Sequence, residues 1–90
     1  MDWQIEITED AEKLLAKMGA TEAKRIVKFL KGRLQQAENP RASGDALKGT
    51  LRDYWRYRVG DYRIICRIED NILTVFVVHV GHRREVYRAP

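Results

Sequence analysis

The stretch from Tyr54 to Glu69, YWRYRVGDYRIICRIE, limits what this chain can fold into more than any other. Apolar and polar residues alternate with period two on both sides of Gly60-Asp61, as expected of two half-buried strands joined by a two-residue loop. Glycine at the first loop position supplies the positive φ of a type II′ turn. With Val59 and Tyr62 flanking the loop, the register follows. Trp55, Tyr57 and Val59 share one face with Tyr62, Ile64, Cys66 and Ile68, while Arg56, Arg58, Arg63 and Arg67 share the other with Tyr54 and Ile65. Arg58 falls opposite Arg63, and like charges directly across a ladder are destabilising. Two explanations stand. The face is solvated, its arginines discouraging edge-to-edge aggregation, or it is a preformed site for a phosphodiester or another dense anion, which guanidinium grips bidentately at any working pH.

The charge distribution bears on that choice. The chain of 90 residues has a net charge of +4 and a pI near 9.5, a balance that favours an anionic partner, nucleic acid first. Residues 1–22 hold two lysines against six acidic residues, whereas Arg52 to Arg88 holds eight arginines, five acidic residues and no lysine. Using arginine throughout this half suits planar and phosphate recognition better than solubility alone. The length allows one domain, residues 1–90, and the 44% hydrophobic and 33% charged content is that of an ordinary compact chain. The single Cys66 cannot form an intrachain disulfide and falls on the apolar face, where a small buried hydrophobe is expected, in keeping with a reducing cytoplasm. No apolar h-region marks a signal peptide. The longest apolar run, Ile72 to Val80, is too short to span a membrane.

The remaining elements are placed around the hairpin. Trp3 to Ile7 alternates and reads as a first strand. Thr8 reads as an N-cap, followed by Glu9, Asp10 and Glu12 at the positive end of a helix dipole. Ala11, Leu14, Leu15 and Met18 form one helical face, and Gly19 is placed to end that helix in the left-handed conformation. Thr21 reads as the cap of a second helix with the apolar stripe Ala23, Ile26, Val27, Leu30 and Leu34. Its other face, Lys24, Arg25, Lys28, Lys31 and Arg33, is basic. Ala37 to Thr50 is irregular, with turn signals at Asn39-Pro40 and Ser43-Gly44-Asp45, and Leu47 and Leu51 are expected to dip into the core at its end. Asp70-Asn71 makes a tight turn pairing Glu69 with Ile72, and Ile72 to Val80 is a fourth strand. That register puts Leu73, Val75 and Val77 on the core face and Thr74, Phe76 and Val78 on the arginine face. Ile65, Phe76 and Val78 then form an apolar strip that a later segment or a partner must cover. The expected fold class is α+β, ordered β-α-α-β-β-β, an antiparallel sheet packed against an N-terminal helical hairpin, with a short C-terminal turn or helix.

Little other chemistry is available. His79 and His82 are the only histidines, and no HxxxH, CxxC, Walker or GxGxxG spacing exists, so no metal or other cofactor is expected. His79 falls on the core-facing register and reads as a structural histidine near the sheet end. His82 lies beside Arg83 and Arg84 and is the near-neutral titrating group to watch for proton transfer. Arg56, Arg58, Arg63, Arg83 and Tyr87, with His82, form a set suited to gripping RNA and stabilising charge on a scissile phosphate. RNA carries its own nucleophile, the 2′-OH, so such a site need only align it, help remove its proton and neutralise the phosphorane. The set lacks a strong general base, so it would need outside help with alignment.

Two runs carry a family resemblance: Leu47-Lys48-Gly49 followed by Trp55-Arg56-Tyr57-Arg58-Val59-Gly60-Asp61-Tyr62-Arg63-Ile64, and the ending Val80-Gly81-His82-Arg83-Arg84-Glu85-Val86-Tyr87. In this order and spacing the chain resembles the RelE/ParE superfamily of bacterial toxins over essentially its whole length. The resemblance to the RelE branch implies a toxin of a type II toxin–antitoxin system that cleaves mRNA in the ribosomal A site, the ribosome positioning the substrate. It implies a cognate RelB-like antitoxin as partner, operator DNA bound only through that antitoxin, and no membrane. By the same resemblance Arg56 and Arg58 hold phosphate or ribosomal RNA. Arg63 and Arg83 stabilise the transition state, Arg83 also as a proton donor, and Tyr87 stacks on or orients the base. The family often has lysine at the first two positions, one of them a plausible proton acceptor. Arginine is a poor acceptor, which passes that role to His82 or Tyr87. The helix pair and the Ile65, Phe76 and Val78 strip are the expected antitoxin docking surfaces. The alternatives are a ParE-like toxin that inhibits DNA gyrase without RNA chemistry, and a catalytically silent binding module.

Overall fold

The computed structural model describes residues 3–49 and 53–82. The chain starts with β1 (Gln4–Ile7) and turns at Thr8 into α1 (Glu9–Lys17). Thr8 is the N-cap: its backbone is extended, and its hydroxyl accepts from the Ala11 amide at 3.4 Å while donating to the Val77 carbonyl at 2.8 Å. One side chain therefore opens the helix and ties it to the sheet.

The second helix, α2 (Ala20–Lys28), starts two residues earlier than Thr21 as its cap suggests. Its N-cap is Gly19, at φ 95° and ψ 156°, a region that essentially only glycine enters. Gly19 thus reverses the chain at the start of α2 instead of closing α1 in the left-handed conformation. From Phe29 to Leu34 the helix widens to π geometry, with the Gln35 amide reaching back five residues to the Leu30 carbonyl at 2.8 Å. Ile26, Leu30 and Leu34 keep their expected stripe and are buried, and Ala23 and Val27 pack partly against the same core.

The sheet has the order β1-β5-β4-β3-β2. Its short edge strand β2 (Asp45–Ala46) lies within the segment expected to be irregular, pairing Asp45 with Arg56 and Ala46 with Trp55. The hairpin of β3 (Trp55–Val59) and β4 (Tyr62–Glu69) has the expected register: Val59 opposite Tyr62, Arg58 opposite Arg63, Tyr57 opposite Ile64. Gly60 takes φ 60°, and Leu73 is the sole described non-glycine residue with positive φ, so Asp61 is on the negative side. Positive then negative is the type II′ pattern. The last strand, β5 (Thr74–His82), completes the meander, and β1 pairs with it in parallel, from Gln4 opposite Thr74 to Ile7 opposite Val77. The sheet is therefore mixed, with β1 as the parallel exception. The two helices carry the chain to the far edge, and the tight reversals bring β5 back beside β1 running the same way.

Two departures concern β5. Asp70 to Ile72 form a 3₁₀ turn closed by Leu73 at φ 47°, ψ 48°, so Glu69 pairs with Thr74 rather than with Ile72. This even shift leaves the faces unchanged, and Val75 and Val77 remain in the core. A bulge does change them. Cys66 pairs with Val77 but Ile65 pairs with His79, leaving Val78 as the extra residue. Beyond it the parity inverts: Val80 enters the core at 1% exposure, and His79 turns to the face of Arg56 and Ile65. The core-facing position expected for His79 is thereby corrected.

The core lies between the helices and one sheet face. Ala11, Leu15, Ile26, Leu30 and Leu34 meet Tyr57, Ile64, Cys66, Ile68, Val75, Val77 and Val80, with Trp3 at the end. Cys66 is a free, fully buried thiol, and burial pushes its pKa up, as expected of a packing residue. No helix among the described residues is long and apolar enough to cross a membrane.

Candidate functional site

On the face away from the helices, β3, β4 and β5 set out two rows. One is Arg56–Ile65–His79; the next is Arg58–Arg63–Gly81. The two-residue loop makes Val59–Tyr62 the hydrogen-bonded pair, so Arg58–Arg63 is a non-hydrogen-bonded pair with Cα atoms about 4.5 Å apart and side chains drawn together. Among the described residues neither arginine forms an ion pair. Arg58 is exposed. Arg63 is half-buried, donates one Nη1 bond to the Tyr62 carbonyl at 3.3 Å, and keeps a buried Nε without a hydrogen-bond partner. Juxtaposed like charges and an unmet buried donor both disfavour folding, and both are relieved by an anion.

Arg56 and Arg67 differ from that pair. The Arg56 side chain is 13% exposed, and its Nη2 lies 3.4 Å from Asp45 Oδ2 on the edge strand, which fixes its direction. Arg67 lies 3.3 Å from Glu69, and its guanidinium is 5.3 Å from the Phe76 ring centre. It is used within the sheet surface. Of the apolar strip, Ile65 is 1% exposed, and Phe76 and Val78 are half-buried.

His82 is not on this face. It pairs with Tyr62, whose ring it meets edge-on at 5.8 Å between centroids, on the helix side of the sheet. There it lines a small cavity with Glu22, Arg25 and Asp61. The cause is again the bulge: two residues after Val80, His82 shares the core side. The structure therefore brings Arg56, Arg58 and Arg63 together and adds His79, while His82 faces away. Arg83 and Tyr87 lie outside the described residues, as does Leu51.

Along the free edge of β3, beyond β2, two adjoining cavities of about 610 and 640 Å³ share Phe29, Arg33 and Arg58. The second is also lined by Arg25 and Lys28, so the basic side of α2 and Arg58 border one groove. One wall of the first is the loop through Ser43 and Gly44. Tyr57 holds that loop by donating its hydroxyl to the Pro40 carbonyl, and Trp55 Nε1 donates to the Ser43 carbonyl at 2.7 Å. Gly44 sits at φ 80°, where a Cβ would lie 2.4 Å from the Arg56 carbonyl and 2.7 Å from Trp55 Nε1. At the other end of the loop, Arg41 makes a bidentate pair with Asp70 at 2.9 and 3.0 Å. Among the described residues no three His, Cys, Asp or Glu side chains gather as metal ligands. Sequence reasoning missed His79, whose only signal is the Val77-Val78-His79-Val80 run, apolar in either phase. It missed the groove as well, because that depends on how α2 lies against the β3 edge.

Comparison with known proteins adds a lineage to this geometry. A family model described as the ParE toxin of the type II toxin-antitoxin system parDE matches residues 5–87. Toxin RelG of Mycobacterium tuberculosis is 31% identical over 88 residues, covering 98% of this chain and 99% of that protein. Toxin RelE of the same organism is 30% identical over 86 residues, covering 96% and 87%. Among solved structures, the RelBE2 toxin–antitoxin complex of M. tuberculosis superposes with a TM-score of 0.84 at 29% identity, covering 92% of this chain and 100% of the matched one. The intact Escherichia coli RelBE complex gives 0.68 at 26% identity, covering 89% and 95%.

Proposed function

The chain belongs to the RelE/ParE superfamily of type II toxin–antitoxin toxins, and from that premise we propose that it is a ribosome-dependent mRNA endoribonuclease. The observation that carries this reading is the Arg58–Arg63 pair, two arginines directly opposed in the ladder with no counter-ion among the described residues. Such a pair is costly in the free protein and is satisfied by a phosphodiester. In the reaction the ribose 2′-oxygen attacks the adjacent phosphorus, the bond from phosphorus to the 5′-oxygen breaks, and the leaving oxygen takes a proton. The products are a 2′,3′-cyclic phosphate and a 5′-hydroxyl end. Arg63 and Arg83 bind the charge that grows on the phosphorane, Arg56 and Arg58 hold the flanking phosphate or ribosomal RNA, and Tyr87 stacks on the base. Arg56 and Arg58 cannot accept the 2′ proton at neutral pH, since guanidinium stays charged. Alignment by the ribosome supplies much of the rate.

The partner that silences the toxin is a cognate antitoxin, as in the RelBE complexes to which the fold is similar. A groove along α2 and the π-helical turns after it, lined by Ala20, Ala23, Val27 and Gly32 with Lys24, Lys28 and Lys31, and the Phe76–Val78 strip are the surfaces for its amphipathic segment. A second reading, gyrase inhibition, draws on the ParE description of the matching family model. The retained arginine set favours the nuclease. Induced expression separates the two: growth arrest with cuts inside translated frames supports the nuclease. Growth arrest with intact mRNA and DNA damage supports gyrase inhibition. Toxicity should be lost in Arg63→Ala and Arg83→Ala, and full toxicity in both variants would contradict the nuclease.

A further inference from the structure

We propose that His79 is the proton acceptor of the cleavage step, an assignment that rests on the nuclease reading and extends it. The bulge at Val78 is its basis. Had the β4–β5 ladder continued without it, His79 would stand opposite Ile64, inside the packing of Ile26 and Leu30, and Val80 would lie among the arginines. One inserted residue exchanges the two, keeping the valine in the core and turning the imidazole to the arginine face. Bulges that re-aim a side chain are over-represented beside active sites.

The position suits the chemistry. Directly across from His79 is Ile65, which is buried and contributes no proton-exchanging group. Arg63 pairs with Gly81, two residues further along β5, so His79 and Arg63 are diagonal neighbours about 7–8 Å apart at the backbone. A phosphate gripped by the Arg63 fork places the adjoining ribose within reach of the imidazole. Among the described residues, the other charged groups on this face are Arg56 with Asp45 across β3 and β2, Arg58 beside Arg63, and Arg67 with Glu69 past Phe76. Glu6 of β1 lies opposite Phe76. Of these, Asp45 and Glu69 are engaged by arginines, and Glu6 lies on the far side of Phe76 from Arg63. Histidine is the side chain whose ordinary titration range lies near neutrality, and its neutral form offers an acceptor nitrogen.

In the step assigned here, that nitrogen takes the proton from the 2′-OH as the 2′-oxygen bonds to phosphorus. The 5′-oxygen departs with a proton from water, and the imidazolium returns its own proton to solvent, so atoms and charge balance.

The experiment is single-turnover cleavage of mRNA on purified, programmed ribosomes across about pH 5.5 to 8.5. It compares the wild-type toxin with His79→Gln and His79→Gly. The wild-type rate should rise with pH and level off through the imidazole range. His79→Gln should cleave about 100-fold more slowly or worse and lose that limb, while still folding and binding ribosomes. Added imidazole should restore part of the rate to His79→Gly, a response that a purely structural histidine would not give. Cleavage by His79→Gln within about threefold of wild type, or a retained pH limb, overturns the assignment. So does failure of imidazole to rescue a folded, ribosome-bound His79→Gly. If the wild-type protein cuts no mRNA on ribosomes, the nuclease reading itself fails.

Discussion

Replacing Tyr57 with phenylalanine isolates one buried hydrogen bond and a pH effect together. Tyr57 is 1% exposed, packs against Phe29 with ring centroids 5.6 Å apart, and donates its hydroxyl to the carbonyl of the buried Pro40. Phenylalanine keeps the ring and removes only the donor, so the cost is that of leaving a buried acceptor unmet, about 1–3 kcal/mol. For a domain of this size each kcal/mol moves the melting temperature by roughly 4–8 °C, so a drop of at least about 4 °C is expected at neutral pH. The phenol pKa is raised above its ordinary 10.0, first by burial and then by the nearby Cys66. Below about pH 10 both states keep the proton and the stabilisation is complete. Above it the unfolded chain releases a proton that the folded chain retains, and stability falls by about 1.4 kcal/mol per pH unit. Cys66, with an ordinary value of 9.0 raised by burial, adds a second proton with the same sign. Urea unfolding from neutral to about pH 11 should therefore show the wild-type alkaline decline reduced to its Cys66 part in Tyr57→Phe. A melting temperature within about 1 °C of wild type, with an unchanged alkaline slope, would refute this reasoning.

Two further outcomes test the frame of the site. Gly44→Ala should destabilise by at least about 2 kcal/mol, from backbone strain at φ 80° together with a Cβ placed against the Arg56 carbonyl and Trp55. Tryptophan fluorescence should report the displaced Trp55–Ser43 contact, and a wild-type melt and spectrum would contradict it. Asp70 is held below its ordinary 3.8, chiefly by its hydrogen bonds with Arg41. That contribution is present above about pH 4 and is lost as pH falls through the folded-state value. Asp70→Asn should accordingly show a shallower acid limb in urea midpoints, and an identical limb would remove the ion pair from the stability of the loop.

How much was legible in the sequence follows from what alternation can encode. The Arg58–Arg63 opposition and both hairpin faces were readable because Gly60-Asp61 fixes the loop length, and a two-residue loop leaves one register. Helix positions were readable from the Ile26, Leu30, Leu34 spacing and from Thr8. Strand direction is not encoded in alternation, so the parallel pairing of β1 with β5 was not visible. Two residues of β2 are too few to show a period. The bulge was hidden because Val77, Val78 and Val80 satisfy either phase, and with it went the exchange of His79 and His82 between faces. Both histidines sit in the same short run, and only the position of one extra valine decides which of them meets the arginines.

The most direct test of the nuclease reading is to add the purified toxin to ribosomes stalled on a defined mRNA and map the RNA ends. A toxin of the proposed kind yields a cut within the A-site codon, with a 2′,3′-cyclic phosphate upstream and a 5′-hydroxyl downstream. That cut should be absent on the same mRNA without ribosomes and lost in Arg63→Ala. Intact mRNA on ribosomes that bind the wild-type protein, or equal cutting by Arg63→Ala, would contradict it.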